Sequence, residues 1–161
     1  MTKGVKQTCI AAGIVLLAVA IDQLSKVYIK THFELGEARE VFSWFWIVFV
    51  ENNGMAFGIE WFSKLFLTLF RILAVGVLGW YIHTMIHKQE VRTSYLTMIS
   101  LITAGALGNI IDCVFYGKIW GYADWFYGKV VDMLYFPLIR NAAGECLFFR
   151  PVFNIADSCI T

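Results

Sequence analysis

Two aspartates stand in settings that favour chemistry over solvation. Asp132 follows Val130-Val131 and precedes Met133-Leu134-Tyr135-Phe136, and Asp157 lies in the run Phe153-Asn154-Ile155-Ala156-Asp157-Ser158. A solvated surface aspartate usually has polar neighbours, and these acids stand in apolar runs. Burial raises a carboxyl pKa, and two carboxyls sharing one site push their values apart, so that one keeps a proton while the other acts as a base. Such a pair meets the requirement for activating a water against an amide. Their separation of 25 residues does not by itself bring the two acids together, and two unrelated buried acids satisfy the same pattern.

A second group of polar residues falls inside long apolar runs. Asp22 and Lys26 are spaced i, i+4 and can pair on one helix face; Asn109 and Asp112 are spaced i, i+3 and also share a face. An Asp or Lys at the centre of a membrane helix costs about 2.5–3.5 kcal/mol on insertion scales, so each needs a reason to be there. The plain reason is that these residues only neutralise and orient one another at the membrane interface. Other chemistries find less support. His83 and His87 have the i, i+4 spacing of a zinc helix but lack the glutamate after the first histidine. The chain has no GxSxG elbow and no P-loop. Its four cysteines, Cys9, Cys113, Cys146 and Cys159, form no CxxC and no metal-type spacing.

The elements that must position these residues are membrane helices. The chain has 161 residues, one domain by length; 59% are hydrophobic and 17% aromatic. Only 16% are charged, against about 25% in an ordinary soluble domain, and the mean hydropathy is +0.67. This excludes a disordered chain, a collagen-like fibre and a disulfide-stapled miniprotein, and it argues against a soluble enzyme. A net charge of +1 gives no reason to expect a nucleic-acid partner. Three continuous apolar runs, at about residues 9–29, 62–82 and 94–114, each reach the roughly 20 residues that a helix needs to cross lipid. They do not alternate, so they predict helices rather than barrel strands.

Lys3 and Lys6 ahead of the first run, with Ala18-Val19-Ala20 inside it, also fit a cleavable signal peptide. The two later spans favour an uncleaved first helix. Lys3 and Lys6 in the N-terminal tail, with Lys88 and Arg92 between the second and third spans, put those segments in the cytoplasm. The segment between the first two spans, about residues 33–60, then faces outward, as does the loop at about 115–153. Residues 40–50, EVFSWFWIVFV, predict a strand apolar on both faces, with a turn at Asn52-Asn53-Gly54 and a return strand over 55–59. Tyr116-Gly117-Lys118-Ile119 recurs as Tyr127-Gly128-Lys129-Val130, which reads as an aromatic loop insertion rather than a repeat architecture.

Five motifs in chain order resemble those of the lipoprotein signal peptidase family, the type II signal peptidases of bacteria. Asp22-Gln23-Leu24-Ser25-Lys26 resembles the family's D-Q-x-[ST]-K. Asn52-Asn53-Gly54-Met55-Ala56-Phe57-Gly58 resembles N-x-G-x-A-[FW]-[GS]. Gly105-Ala106-Leu107-Gly108-Asn109-Ile110-Ile111-Asp112 resembles G-A-x-G-N-x-[IL]-D. Val130-Val131-Asp132 resembles V-V-D-[FM], and Phe153-Asn154-Ile155-Ala156-Asp157-Ser158 resembles F-N-x-A-D-[SA]. The resemblance implies a mainly α, polytopic membrane protein with a small outward-facing β-cradle, in the bacterial inner membrane, active near the outer face. It implies an aspartyl endopeptidase that cuts the signal peptide from prolipoproteins just before a diacylglyceryl-modified cysteine. Asp132 and Asp157 would be the catalytic pair. Asn52, Gly54, Asn109, Asp112, Asn154 and Ala156 would shape the site, with Asp22, Lys26 and Gly108 in support. No metal or other cofactor is implied. Expected partners are prolipoproteins and membrane lipids, with the chain acting as a monomer.

Three departures from the family pattern bear on this expectation. The family usually follows the aspartate of its third helix with Arg, and here Cys113 stands there. A thiol lacks the fork of donors that a guanidinium supplies, and Arg140 or Arg150 is the expected substitute. Residues 119–126 are also extra. The family's fourth helix starts at about the second aspartate, and only four residues follow Asp157. The sequence is then either a fragment or a shortened relative; the expectation is three spans, an Asp157 on a frayed end, and a weakly active or inactive chain, and the alternative is a shortened, non-catalytic protein that binds acylated substrates.

Overall fold

The computed structural model describes residues 2–53, 64–88, 91–140, 146–148 and 151–161. Gly54, the return strand expected over 55–59 and Arg150 lie outside the described residues. Among the described residues, three helices are long and apolar enough to cross a membrane: α1 (Lys3–His32), α2 (Lys64–His87) and α3 (Thr93–Ile111), the last running on through a π-helical stretch into the short α4 (Gly117–Ile119). Each extends past the apolar run that predicted it. Helical hydrogen bonding does not stop at the first polar residue, so Lys3, Lys6, Lys30 and His32 fall in the end turns of α1. Thr2 caps its start by accepting from the Val5 N–H at 3.4 Å.

The apolar faces of α1 and α2 are turned outward. Leu16, Leu24, Leu73 and Trp80 are all about two-thirds exposed or more. In water this would be a very large apolar patch; lipid satisfies it without any partner. α3 is the most enclosed of the three, and two separate cores pack along it. At one end Ala11, Ile86, Val91 and Leu96 cluster, and Gln7 Nε2 donates to the Val91 carbonyl at 3.0 Å. At the other end, where the helices meet the sheet, Ile29, Phe49, Tyr116, Val131 and Met133 form the second core.

The sheet is antiparallel, in the order β1 (Ala38–Phe42), β2 (Phe45–Asn52), β3 (Val130–Tyr135), β6 (Val152–Phe153). A separate hairpin joins β4 (Ile139–Arg140) to β5 (Cys146–Phe148). The single strand expected over 40–50 is in fact two strands folded at Ser43-Trp44. Aromatic and β-branched residues run unbroken through the turn, so side-chain type gives no sign of it. The fold lets Trp44 and Phe45 stack on Phe136 at ring-centroid distances of 6.1 and 4.9 Å, and Phe153 also stacks on Phe136 at 5.6 Å. In the register of β2 with β3, Val50 lies opposite Asp132 and Asn52 opposite Val130. Asn52 is therefore the diagonal neighbour of Asp132 on the same face. Beyond β6, α5 (Ile155–Ile160) packs across α3.

Candidate active site

The crossing of α5 over α3 depends on two glycines one helical turn apart. A Cβ on Gly105 would collide with the Ala156 carbonyl, and one on Gly108 would lie 2.5 Å from Asp22 Oδ2 and 3.0 Å from the Ala156 Cβ. Their absence lets three backbones close on one point. There α1 contributes Asp22, Gln23 and Lys26; α3 contributes Gly108, Asn109 and Asp112; and α5 contributes Ala156 and Asp157.

Lys26 is the hub, fully buried with its ammonium 2.9 Å from Asp22 Oδ2, 2.8 Å from Asp112 Oδ2 and 3.0 Å from Asn109 Oδ1. An ammonium has three N–H donors, and three acceptors meet them here. Asp22 uses its other oxygen to accept the Ala156 N–H at 2.9 Å, which pins the first turn of α5. Asp112 Oδ2 also accepts from the Val131 N–H at 3.4 Å, which ties α3 to β3 one residue before Asp132. Gln23 closes the ring: its Nε2 donates to Asp22, to the Gly108 carbonyl and to Asp112 at 2.9–3.1 Å, and its Oε1 accepts from Tyr116 OH at 3.1 Å. Asp112 also begins the π-helical stretch Asp112–Tyr116. The carbonyls of Cys113 and Val114 there accept from the Gly128 and Phe126 N–H groups at 2.8 and 3.1 Å. A π-helical stretch changes which residues of a helix face inward, and such stretches are frequent at functional sites.

Above this ion cluster the two isolated aspartates meet in a lattice of amides. Asn154 Nδ2 donates to Asp132 Oδ1 at 2.7 Å and to Asn109 Oδ1 at 3.1 Å, while Asn154 Oδ1 accepts the Asp157 N–H at 2.9 Å. Asn109 Nδ2 donates to Asp157 Oδ1 at 2.8 Å, and Asn52 Nδ2 donates to Asp132 Oδ2 at 3.2 Å. Asp157 Oδ2 accepts the Asn154 N–H at 3.2 Å, completing a reciprocal capping box at the start of α5. The first turn of α5 is therefore tied down through Asn154, Ala156 and Asp157, in contrast to the frayed end expected for Asp157.

Asp132 is 3% exposed. Its carboxyl pKa is pushed up to about 7, first by burial and next by the charge of Asp157; the amides of Asn52 and Asn154 pull the other way without prevailing.

The structure thus gathers Asp22, Lys26, Asn52, Gly108, Asn109, Asp112, Asp132, Asn154, Ala156 and Asp157 into one network. Gln23 and Tyr116 belong to it as well, although local spacing gives Gln23 no role beyond its place in a motif. A second cluster was also missed. Lys30, one turn beyond Lys26, pairs with Glu51, and Lys129 meets the other oxygen of Glu51 at 3.1 Å. Burial pushes Glu51 up, but the hydrogen bonds and charges of Lys30 and Lys129 outweigh it and hold Glu51 below the usual carboxylate range. The rings of Phe49, Trp120 and Tyr122 lie within 5.2–5.3 Å of the Lys30 ammonium. Residues 119–126, expected to be an insertion, therefore reach the end of α1 through Trp120 and Tyr122 as part of a cation–π cage. Their aromatic content was the available signal, but nothing in it named Lys30 as the target.

Comparison with known proteins gives a consistent picture. A family model described as signal peptidase (SPase) II matches residues 14–161. The chain is 44% identical to a lipoprotein signal peptidase of Porphyromonas gingivalis, over 94% of this chain and 78% of that one. It is 38% identical to a lipoprotein signal peptidase of Amoebophilus asiaticus, over 92% of this chain and 71% of that one. Two bacterial membrane enzymes solved by the in meso method share the fold. One has a TM-score of 0.70 at 30% identity, covering 93% of this chain and 79% of its own; the other has a TM-score of 0.66 at 29% identity, covering 93% and 84%.

Proposed function

The chain belongs to the signal peptidase II family, and from that premise we propose that it is an aspartyl endopeptidase whose catalytic pair is Asp132 and Asp157. The observation that carries this reading is the amide lattice. Asn154 donates to Asp132 while accepting the Asp157 N–H, and Asn109 holds the Asp157 carboxylate. Two acids from β3 and α5 are thereby fixed on one site beside the buried ion cluster of Lys26, Asp22 and Asp112. Carboxyls that only stabilised the fold would gain nothing from being held so close to a second negative charge.

With Asp132 raised to about 7, it holds the shared proton near neutral pH, and Asp157 serves as the base. Asp157 takes a proton from water as the water oxygen bonds to the scissile carbonyl carbon. Asp132 gives its proton to the carbonyl oxygen, forming a neutral geminal diol. The diol then collapses: the C–N bond breaks, Asp157 gives its proton to the departing amine nitrogen, and a diol hydroxyl returns its proton to Asp132. The pair ends as it began. Asn52, Asn109 and Asn154 keep the two carboxyls oriented through this exchange, and Asp22, Lys26, Asp112 and Gly108 hold the helices that carry them.

The substrates are prolipoproteins whose cysteine carries a diacylglyceryl group, cut just before that cysteine. The aromatic stack of Trp44, Phe45, Phe136 and Phe153 suits a lipid-modified peptide at the membrane surface, where such rings are favoured. The N-terminus is cytoplasmic and the site lies towards the outer face. The chain acts as a monomer.

The test is incubation of the purified chain in detergent micelles with a diacylglyceryl-modified prolipoprotein. Mass spectrometry is expected to detect the free signal peptide and a mature product that begins at the modified cysteine. Substrate that binds but stays whole would instead assign the chain a non-catalytic binding role.

A further inference from the structure

Cys113 stands where the family usually carries Arg. It is 1% exposed, and its Sγ accepts a hydrogen bond from Arg71 Nη1 at 3.4 Å. Of the two expected substitutes, Arg150 and the side chain of Arg140 lie outside what the structure describes; the donor seen at Cys113 is Arg71, from the first third of the neighbouring membrane helix, 42 positions earlier.

Lys64, Thr68 and Arg71 recur at i, i+4 and i+7 and therefore share one face of α2. That face is turned inward: Thr68 is buried and Arg71 half-buried, while Leu69, Phe70, Ile72 and Leu73 between and beyond them are exposed. Arg71 sits about 10 Å along the helix from Lys64. A guanidinium inside an apolar span marks a functional position by default, because hydrocarbon penalises it heavily. The thiol beside it is a weak acceptor that an ester or peptide carbonyl out-competes. Cys113 directly follows Asp112, which accepts the N–H of Val131, the neighbour of Asp132. Arg71 thus reaches the chain one residue after Asp112, the acid that ties α3 to β3.

We propose that Arg71, bonded to Cys113 across α2 and α3, supplies the guanidinium that relatives carry on α3 itself, and positions the substrate by hydrogen-bonding carbonyl or ester oxygens around its lipid-modified cysteine. The proposal rests on the peptidase reading above and adds to it a residue that takes no part in proton transfer. The fork of donors on Arg71 can grip two oxygens at once, which a lysine cannot match.

The experiment measures kcat and KM of the full chain in micelles on a fluorogenic diacylglyceryl-cysteine lipopeptide, with thermal unfolding as the folding control. Losing a charge-assisted hydrogen bond made equally to ground and transition states predicts that Arg71→Met lowers kcat/KM by about tenfold to a hundredfold. The loss falls mainly in KM, and the pH profile is unmoved. Arg71→Lys falls between wild type and Arg71→Met. The double variant Arg71→Met/Cys113→Arg, which moves the guanidinium back to α3, recovers most of the loss. Wild-type kcat/KM in Arg71→Met, or a folded double variant no better than Arg71→Met, would overturn the proposal. Should Arg71→Met not fold, Arg71→Lys and Arg71→Lys/Cys113→Arg carry the same comparison. Lipopeptide binding in an Asp157→Asn background separates this proposal from its premise. Weaker binding on adding Arg71→Met supports the role of Arg71 whether or not the chain cleaves, and unchanged binding counts against it.

Discussion

Replacing Asp132 by Asn turns the pH dependence of stability into a probe of the buried carboxyl. Unfolded, this aspartate titrates at its ordinary value of 3.8; folded, it titrates at about 7 because it is buried and faces Asp157. Below pH 3.8 the group is protonated in both states. Between the two values the folded state holds a proton that the unfolded state has released, so stability falls as pH rises through this window. Above about 7 the loss is complete. A gap of roughly 3 units at about 1.4 kcal/mol per unit sets an upper bound of about 4 kcal/mol, and relaxation around the charge brings the expected span to about 2–4 kcal/mol. Asn has no such titration. At pH 4 Asp132→Asn is expected to be less stable than wild type by about 1 kcal/mol, because its own amide hydrogens face the donors of Asn52 and Asn154. At pH 8 the order reverses. The assay is denaturant unfolding in micelles, followed by tryptophan fluorescence at pH 4, 6 and 8. A stability difference that stays flat across that range refutes the buried, raised carboxyl and, with it, the assignment of the proton to Asp132. Adding Asp157→Asn should narrow the window, since the Asp157 charge is the second contributor to it.

Two other perturbations follow from the ion cluster and the helix crossing. Lys26→Met leaves Asp22 and Asp112 buried without their shared cation; it is expected to cost about 3–5 kcal/mol in the same unfolding assay, and a change under about 1 kcal/mol would contradict the hub role of Lys26. Gly108→Val forces a side chain against Asp22 and Ala156. It is expected to destabilise by about 1–3 kcal/mol and to lower cleavage more than the stability loss explains, because it pushes α5 and Asp157 away from Asp132; a variant matching wild type in both would show that the crossing is looser than the structure has it.

The parts of this fold that the sequence made legible are those encoded in local spacing. Unbroken apolar runs gave the three spans, though not their ends, because polar end turns still complete helical hydrogen bonds. The i, i+4 spacing of Asp22 and Lys26 put that pair on one face, and they meet at 2.9 Å. Composition could not show the fold at Ser43-Trp44, where strand-favouring residues run straight through a turn. Contacts set by tertiary packing left no local trace either. Gln23 reaches Asp112 across 89 positions, and Lys129 reaches Glu51 across 78. The pairing of Arg71 with Cys113 is the sharpest case. Cys113 was visible in the motif, but the donor that meets its sulfur lies on another helix, 42 positions earlier.

The central claim is that Asp132 and Asp157 together activate the attacking water. It is tested most directly by single-turnover cleavage of a diacylglyceryl prolipoprotein by wild type, Asp132→Asn and Asp157→Asn, with lipopeptide binding measured on the same samples. The account predicts that wild type releases the signal peptide while both variants bind substrate and release none. Release by either variant at a rate comparable to wild type would contradict it.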